Sequence, residues 1–516
     1  MSVAIKTNMN QTSNTTRIAK NSFYLYIRMG ILILISFYTS RVVLRSLGVV
    51  DFGIFNVVGG CVSMLGFIQG TMTGVMQRYF SYAIQRPDIY DMKRVYNASL
   101  KLLILLSIVI LILTESIGLW FVLNKLTIPN DRMMAAVVVY QFSIFQAIIM
   151  LLGLPYISLI VSYEKMQAFA YISIFEAIAK LFIAYSLTIL LYDKLCVYAI
   201  LLFITQCFIR CVYVLYCKRK FGKMHFHFTK DFSLEKEMIG FTGWNTIQMG
   251  AEMVQIYGGN ILLNIFFGPI VNAARGISMQ VMGVVRNFSV NFLMAINPQI
   301  IKSYASEDSS LLFSLISRAT RFGFYLMYAI CLPVLLITDL LLKLWLGEIP
   351  THSGMFVKLI LISTIFLMIL DPLKIAIGAS GKIKRIQIVY SVVCFLNIPF
   401  AYLFLIMGYG ENTIFIIQII SSIILYLFHI YYGYLILGLD LSNYFRIVML
   451  PMISVFFTST LSALILNEIK VEIVGSLFIA ILSFVLVIVS SYSFGITHSE
   501  REYIRKTILN KLKKNL

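Results

Sequence analysis

Uncharged apolar runs recur from one end of this chain to the other, and they restrict its fold more than any other feature. Leu477 to Val489 carries a single serine among aliphatic and aromatic residues, and Ile104 to Leu113 and Leu181 to Leu191 read the same way. A hydrocarbon layer about 30 Å thick is crossed by about 20 mostly apolar residues in a helix. Such stretches fill most of the sequence, so a length that would otherwise suggest several soluble domains does not do so here. Charged residues make up 13% of the 516 and hydrophobic residues 59%, whereas soluble domains carry about a quarter charged. The chain is expected to be an all-α integral membrane protein.

About fourteen spans are predicted on this criterion. Six lie at 21–44, 52–75, 97–123, 133–157, 169–192 and 194–217. Eight more follow at 241–267, 270–296, 322–346, 354–378, 386–408, 412–437, 444–466 and 473–496. The first twenty residues are polar and lead into a long stretch with no small-residue cleavage site, which reads as a retained first span. Lysine and arginine then assign the sides. With the N-terminus in the cytoplasm, about 28 of them fall in one set of loops and about 9 in the other. Both termini are therefore expected on the cytoplasmic side of the membrane. The net charge of +19 follows from this asymmetry and points to anionic lipid at that surface. It does not point to nucleic acid, because no stacking aromatics accompany the basic segments. The 501–514 tail mixes basic and apolar residues as an amphipathic surface helix does. The seven cysteines form no Cys-x-x-Cys pair, so neither a disulfide framework nor a zinc site is expected.

An internal repeat sets the architecture. Ile27-Arg28-Met29-Gly30 matches Ile247-Gln248-Met249-Gly250, and Gly48 matches Gly268, at an offset of about 220. Gln77 to Ala83 matches Gln299 to Ala305 at nearly the same offset. Six spans separate the copies, an even number, so the repeat is parallel. The expected organisation is a six-helix lobe at 1–217, a basic cytoplasmic linker at 218–240, a second six-helix lobe at 241–437, and a terminal helix pair with a basic tail at 438–516.

Charges within spans mark the candidate site, because each costs about 2.5–3.5 kcal/mol at a helix centre on insertion scales. Arg275 and Arg286 lie about three helical turns apart on one face of the eighth span, with Asn272 close to that face. In the seventh span Asn245, Gln248, Glu252 and Gln255 fall within roughly 80° of arc. Arg28 occupies the position of Gln248 in the first repeat. These residues are expected to line a hydrated, net cationic cavity suited to an anionic headgroup, since a guanidinium matches phosphate oxygens in a fork. The plainer alternatives are that Arg275 snorkels to the outer interface and that Glu252 pairs with Arg28 or Arg286 instead of coupling transport to an ion. Glu176 and Lys180, four residues apart, read as an intrahelical pair, Asp371 before Pro372 as a bent helix end, and Arg41 and Arg45 as interfacial anchors.

Catalytic signatures are missing. Gly378-Ala-Ser-Gly-Lys382 lacks the spacing of a phosphate-binding loop, and no paired-carboxylate or Ser-His arrangement suggests an enzyme. No cofactor is expected beyond a coupling proton or sodium ion at Glu252.

Three segments resemble a known group. Asn21-Ser-Phe-Tyr-Leu-Tyr-Ile-Arg28, Tyr38-Thr-Ser-Arg-Val-Val43 and Leu47-Gly-Val-Val-Asp-Phe-Gly-Ile-Phe-Asn-Val-Val-Gly-Gly60 are similar to bacterial polysaccharide-biosynthesis transporters. Phe241-Thr-Gly-Trp-Asn245 and Asn264-Ile-Phe-Phe-Gly-Pro-Ile-Val-Asn-Ala-Ala-Arg-Gly276 agree in the second lobe. The group is the O-antigen (Wzx-type) flippases of the multidrug/oligosaccharidyl-lipid/polysaccharide (MOP, MATE-like) superfamily. The resemblance implies a V-shaped two-lobe bundle that flips a polyprenyl-diphosphate-linked oligosaccharide by alternating access. It also implies a cationic lumen supplied here by Arg28, Arg275 and Arg286, and partners among the polymerase and glycosyltransferases of the same pathway. Twelve spans are usual in the group; fourteen are found in the related lipid II flippases. A lipid II flippase and a MATE-type drug or cation antiporter, whose cavity would be acidic, are the competing readings.

Overall fold

In the computed structural model the described residues are 2–85, 91–163, 165–189, 192–222, 233–467, 473–498, 500–502 and 505. The side chains of 2–27 and 239–245, residues 223–232 of the basic linker and 506–516 of the expected surface helix lie outside that set.

Regular structure among the described residues is helical. The first part of the chain forms α1 (Ser2–Ser63), α2 (Gly66–Gln85), α3 (Met92–Leu113), α4 (Leu119–Asn124), α5 (Met133–Leu152), α6 (Leu154–Ser162), α7 (Met166–Ile189), α8 (Lys194–Phe221) and α9 (Ser233–Phe267). The remainder forms α10 (Pro269–Ala305), α11 (Ser309–Leu336), α12 (Thr338–Leu346), α13 (Ser353–Ala379), α14 (Lys384–Ile406), α15 (Thr413–Leu437), α16 (Leu441–Tyr444), α17 (Leu450–Asn467) and α18 (Ile473–Ser490). Eleven segments among the described residues are long and apolar enough to cross a membrane. α9 and α10 lie where the seventh and eighth spans are expected, and the second span is assembled from the end of α1 together with α2.

Burial patterns identify the solvent. Along α15 the exposed residues are Ile416, Ile420, Ile424, Leu427, Tyr431, Tyr434 and Leu435, while the polar Gln418, Ser421, Ser422 and His429 are buried among apolar neighbours. That spacing defines one helical face, and the face turned outward is the apolar one. Water would reverse this order; hydrocarbon favours it.

Two glycines break the chain in the same way. Gly48 has φ +79° inside α1 and Gly268 has φ +79° between α9 and α10. A residue with a β-carbon pays about 1–3 kcal/mol at such a positive φ, which glycine avoids. These are the glycines matched by the 220-residue offset. Two details differ from expectation. The second span is interrupted at Met64–Leu65, and α13 continues through Pro372 to Ala379, so Asp371 lies within a helix and not at its end.

The chain divides into two compact units, Met1–Ala273 and Ala274–Leu516. In the first, α1 packs along α7, α5 against α8, and α2 against α6. Its core has two apolar clusters, one around Met76, Phe80, Leu103 and Ile209, the other around Ile54, Val58, Tyr140 and Leu195. α9, which the repeat assigns to the second lobe, packs on α1, α2 and α3 of this unit. A buried ion pair between Lys101 and Glu235 at 3.1 Å ties its first turn to α3. At the other end Arg132 grips Asp51 through Nε (2.8 Å) and Nη2 (2.6 Å). Its Nη1 reaches Asp193, the residue that caps α8, at 2.6 Å. The second unit is centred on α13, flanked by α11 and α15, with α18 and α17 against α11.

Candidate functional site

α1 and α7 lie side by side in the first unit, and polar side chains of both helices meet along their seam. A cavity of about 360 Å³ opens there, lined by Arg28, Ser36, Thr39 and Ser40 of α1 and by Ser173, Glu176 and Lys180 of α7. Glu176 is its organising anion. Lys180 Nζ donates to Glu176 Oε1 at 2.7 Å, and Gln206 Nε2 of α8 donates to the same oxygen at 2.7 Å. Arg210 and Arg28 both lie within electrostatic range of that carboxylate. One acid thus faces three cations, and the cluster carries an excess of positive charge inside the membrane-spanning part of the unit.

The guanidinium groups are only partly satisfied. Arg28 stacks its Cζ 4.4 Å from the centroid of Phe169, and its buried Nε has no hydrogen-bond partner among the described residues. Arg210 lies 5.7 Å from the Tyr213 ring, and both Nε and Nη1 lack partners in the same sense. Gly153 makes room for it, because a β-carbon there would stand 2.5 Å from Arg210 Cδ. A buried donor left unpaired costs about 1–3 kcal/mol. Donors kept in that condition suit an acceptor that arrives and leaves.

The seam continues. A second cavity of about 480 Å³ is lined by Tyr38, Arg41, Arg45 and Ser46 of α1, by Tyr185 and Thr188 of α7, and by Lys194 of α8. The hydroxyls of Tyr38 and Tyr185 meet across it. Along one helix pair the groups therefore run from Arg28 and Lys180, through the α1 hydroxyls, to Arg41, Arg45 and Lys194.

The residues anticipated from sequence fall in several environments. Arg28 lines the first cavity with Ser173, Glu176 and Lys180 of α7, and none of the seventh- or eighth-span residues expected beside it is among the lining residues. Gln248 is buried and donates from Nε2 to Glu252 Oε1 at 2.9 Å, while Glu252 and Gln255 are half-buried. The side chain of Asn245 lies outside the described residues. Asn272, expected beside a cavity, is fully buried in an asparagine network. Its Nδ2 donates to Asn260 Oδ1 at 2.8 Å, its Oδ1 accepts from Asn264 at 2.9 Å, and Asn264 Oδ1 takes the Thr127 amide at 2.8 Å. That network fastens the Gly268 turn, a structural role. In the second unit Arg275 is 1% exposed, so it does not snorkel, and lies 5.1 Å from the Phe415 centroid. Arg286 is half-buried. Glu176 and Lys180 do form the expected pair, and the pair also lines the site; Arg41 and Arg45 line the outer cavity. Arg210 escaped the sequence reading, although a lone arginine within Cys207-Phe-Ile-Arg210-Cys-Val-Tyr213 was the same signal that singled out Arg28.

Neither a family model nor a curated protein matches the sequence. Solved structures do. A structure described as lipid II flippase MurJ in an inward closed conformation superposes with a TM-score of 0.67 at 11% identity, covering 92% of this chain and 98% of its own. The fold is that of the MOP exporters. The MATE multidrug transporter DinF-BH follows at 0.60 and 15% identity, covering 82% of this chain and 97% of its own. An inward-facing MATE transporter of the MOP superfamily gives 0.56 at 14%, covering 81% and 94%. At such identities the likeness concerns the MOP fold alone, and the residues of the groove must argue for its use.

Proposed function

We propose that this chain flips a polyprenyl-diphosphate-linked oligosaccharide, the repeat unit of an O-antigen, capsule or exopolysaccharide, across the inner membrane by alternating access. The observation that carries this reading is the excess cationic charge of the α1–α7 groove, with Arg28 and Arg210 donors unanswered among the described residues. A diphosphate supplies several strong acceptors, and a low-dielectric groove strengthens their attraction to guanidinium groups. Glu176 has the complementary task. It holds Lys180 and competes for the arginines, which keeps a diphosphate from binding too tightly to move on; transport requires sites that are favourable to enter and weak enough to leave. Arg41, Arg45 and Lys194 offer the next cationic position along the seam, while the polyprenyl tail remains in lipid. Arg275 and Arg286 are proposed to supply positive charge in the second unit. Glu252, held by Gln248, is the candidate for proton or sodium coupling. The polymerase and glycosyltransferases of the pathway are the expected partners.

The test is complementation in cells lacking the gene. Arg28→Ala and Arg210→Ala proteins of normal abundance should leave lipid-linked oligosaccharide on the cytoplasmic face and reduce surface polysaccharide at least tenfold, the effect of losing about 1.4 kcal/mol or more of headgroup binding. Surface polysaccharide at the normal level in both variants would refute the reading. Two other readings have an observation each: the coverage of the MurJ match favours a lipid II flippase, and the half-buried Glu176 and Glu252 favour a cation antiporter. Loss of general cell-wall precursor export would select the first, and altered sensitivity to cationic compounds with normal polysaccharide would select the second.

A further inference from the structure

Four arginines gather in the second unit around a cavity whose lining includes no residue assigned a transport role above. A cavity of about 410 Å³ is lined there by Arg321 of α11, by Asn443, Arg446 and Pro451 around the start of α17, and by Gly495 to Thr497 beyond α18. Arg321 is buried. Its Nη1 donates to the Gly495 carbonyl at 2.9 Å and its Nη2 to Glu500 Oε1 at 2.8 Å, which leaves Nε without a partner among the described residues. Arg446 enters the same cavity from an exposed position. Arg318 lies 3.3 Å from Glu500, and Arg501 donates to the Ser493 carbonyl at 2.8 Å. Against these four cations stands Glu500 alone among the groups named here, so the pocket is cationic. Both chain segments that shape it contain a π turn, Phe445–Met449 and Ser491–Gly495, a distortion that recurs at functional sites.

The neighbouring residues decide the class of ligand. In the two chain segments that contribute to the cavity, Leu441, Phe445 and Leu450, and Tyr492 and Phe494 just before Gly495, are large, apolar and exposed. A free anion needs the arginines and gains nothing from these side chains. An amphiphile uses both, with the headgroup on the arginines and the chains on the apolar flank. All four arginines also belong to the basic set expected at the cytoplasmic surface, where anionic lipid is concentrated. We propose that this cavity binds the phosphodiester headgroup of an anionic glycerophospholipid, with Arg321 Nε and the Arg446 guanidinium donating to its phosphate oxygens. The site is independent of the transported substrate and would fasten the last two helices to the leaflet beside them.

The experiment is a lipid titration of the purified full-length protein in neutral detergent, followed by thermal unfolding and by native mass spectrometry of retained lipid. Phosphatidylglycerol should raise the unfolding temperature and remain bound, where phosphatidylcholine does neither. Arg446→Ala should raise the half-saturating phosphatidylglycerol concentration about tenfold, as expected for loss of one charge-assisted contact. Arg446 is exposed, so the variant should unfold at the wild-type temperature without lipid. Arg446→Lys, which retains charge but not the fork, should fall between the two. Equal responses of wild type and Arg446→Ala, or equal responses to the two lipids, would overturn the proposal. A stabilisation reproduced by inorganic phosphate alone, and lost in Arg446→Ala, would overturn its lipid part and assign the pocket to a free phosphate.

Discussion

Arg28 and Arg210 hold positive charge among helices with some of their N–H groups unanswered, an arrangement that lowers stability unless something else is gained. Replacing Arg210 by an apolar residue of similar length removes buried donors that lack partners among the described residues, each costing about 1–3 kcal/mol, and leaves Glu176 bonded to Lys180 and Gln206. Arg210→Met is therefore expected to keep or raise the thermal unfolding temperature while abolishing transport, a separation that a purely structural arginine would not give. Glu500 offers a different test. Burial pushes its carboxyl up, but the Thr497 amide and Arg321 outweigh that and hold it below its ordinary value. Its contribution to docking of the C-terminal segment is thus fully present at neutral pH and is lost as pH falls from about 4.3, the ordinary Glu value, through the depressed one. The protection of the Gly495 to His498 amides, taken relative to the unstructured exchange rate at each pH, should fall across that acidic window, and Glu500→Gln should remove the dependence. At this scale the sequence was an uneven guide. A charge in an apolar run is conspicuous wherever it occurs, as Arg28 was and Arg210 should have been. Asn272 could not be read correctly from its own helix, because a polar residue there suits a cavity or a buried network equally. What decides is whether Asn260 and Asn264 arrive in register, which depends on the turn at Gly268.

Among the elements, helix breaks and helix approaches depend on particular small residues. A β-carbon on Gly53 would stand 1.8 Å from the Pro269 carbonyl oxygen, a backbone atom that cannot rotate away. Gly53→Ala should destabilise the first unit by at least about 1–3 kcal/mol, measurable as a fall in the detergent unfolding temperature. Gly48→Ala meets open space and should cost only the strain of a backbone region essentially confined to glycine, about 1–3 kcal/mol. The buried Lys101–Glu235 pair makes a sharper prediction. Lys101→Met alone strands a carboxylate and should cost about 3–5 kcal/mol; adding Glu235→Leu should recover most of that loss. Gly48 and Gly268 were legible because only glycine makes that turn at little cost, so the same residue recurs at both repeats. The interruption at Met64–Leu65 and the passage of α13 through Pro372 were not, since packing of neighbouring helices, not local propensity, decides whether a helix tolerates them.

For the whole molecule, hydropathy and loop charge anticipated an all-helical membrane fold, because hydrocarbon leaves the backbone few alternatives. The expected lobes meet at the 218–240 linker, and the two compact units meet between Ala273 and Ala274, with α9 in the first of them. Function rests on whether the cationic groove of that unit handles an anionic lipid headgroup, and one measurement addresses this directly. The protein would be reconstituted in vesicles carrying a fluorescent undecaprenyl-diphosphate-linked oligosaccharide, and the fraction of label exposed to an external quencher followed in time. Exposure that is rapid with the wild type and at least tenfold slower with Arg28→Ala or Arg210→Ala is the predicted result. Equal rates for wild type, variants and protein-free vesicles would contradict the account.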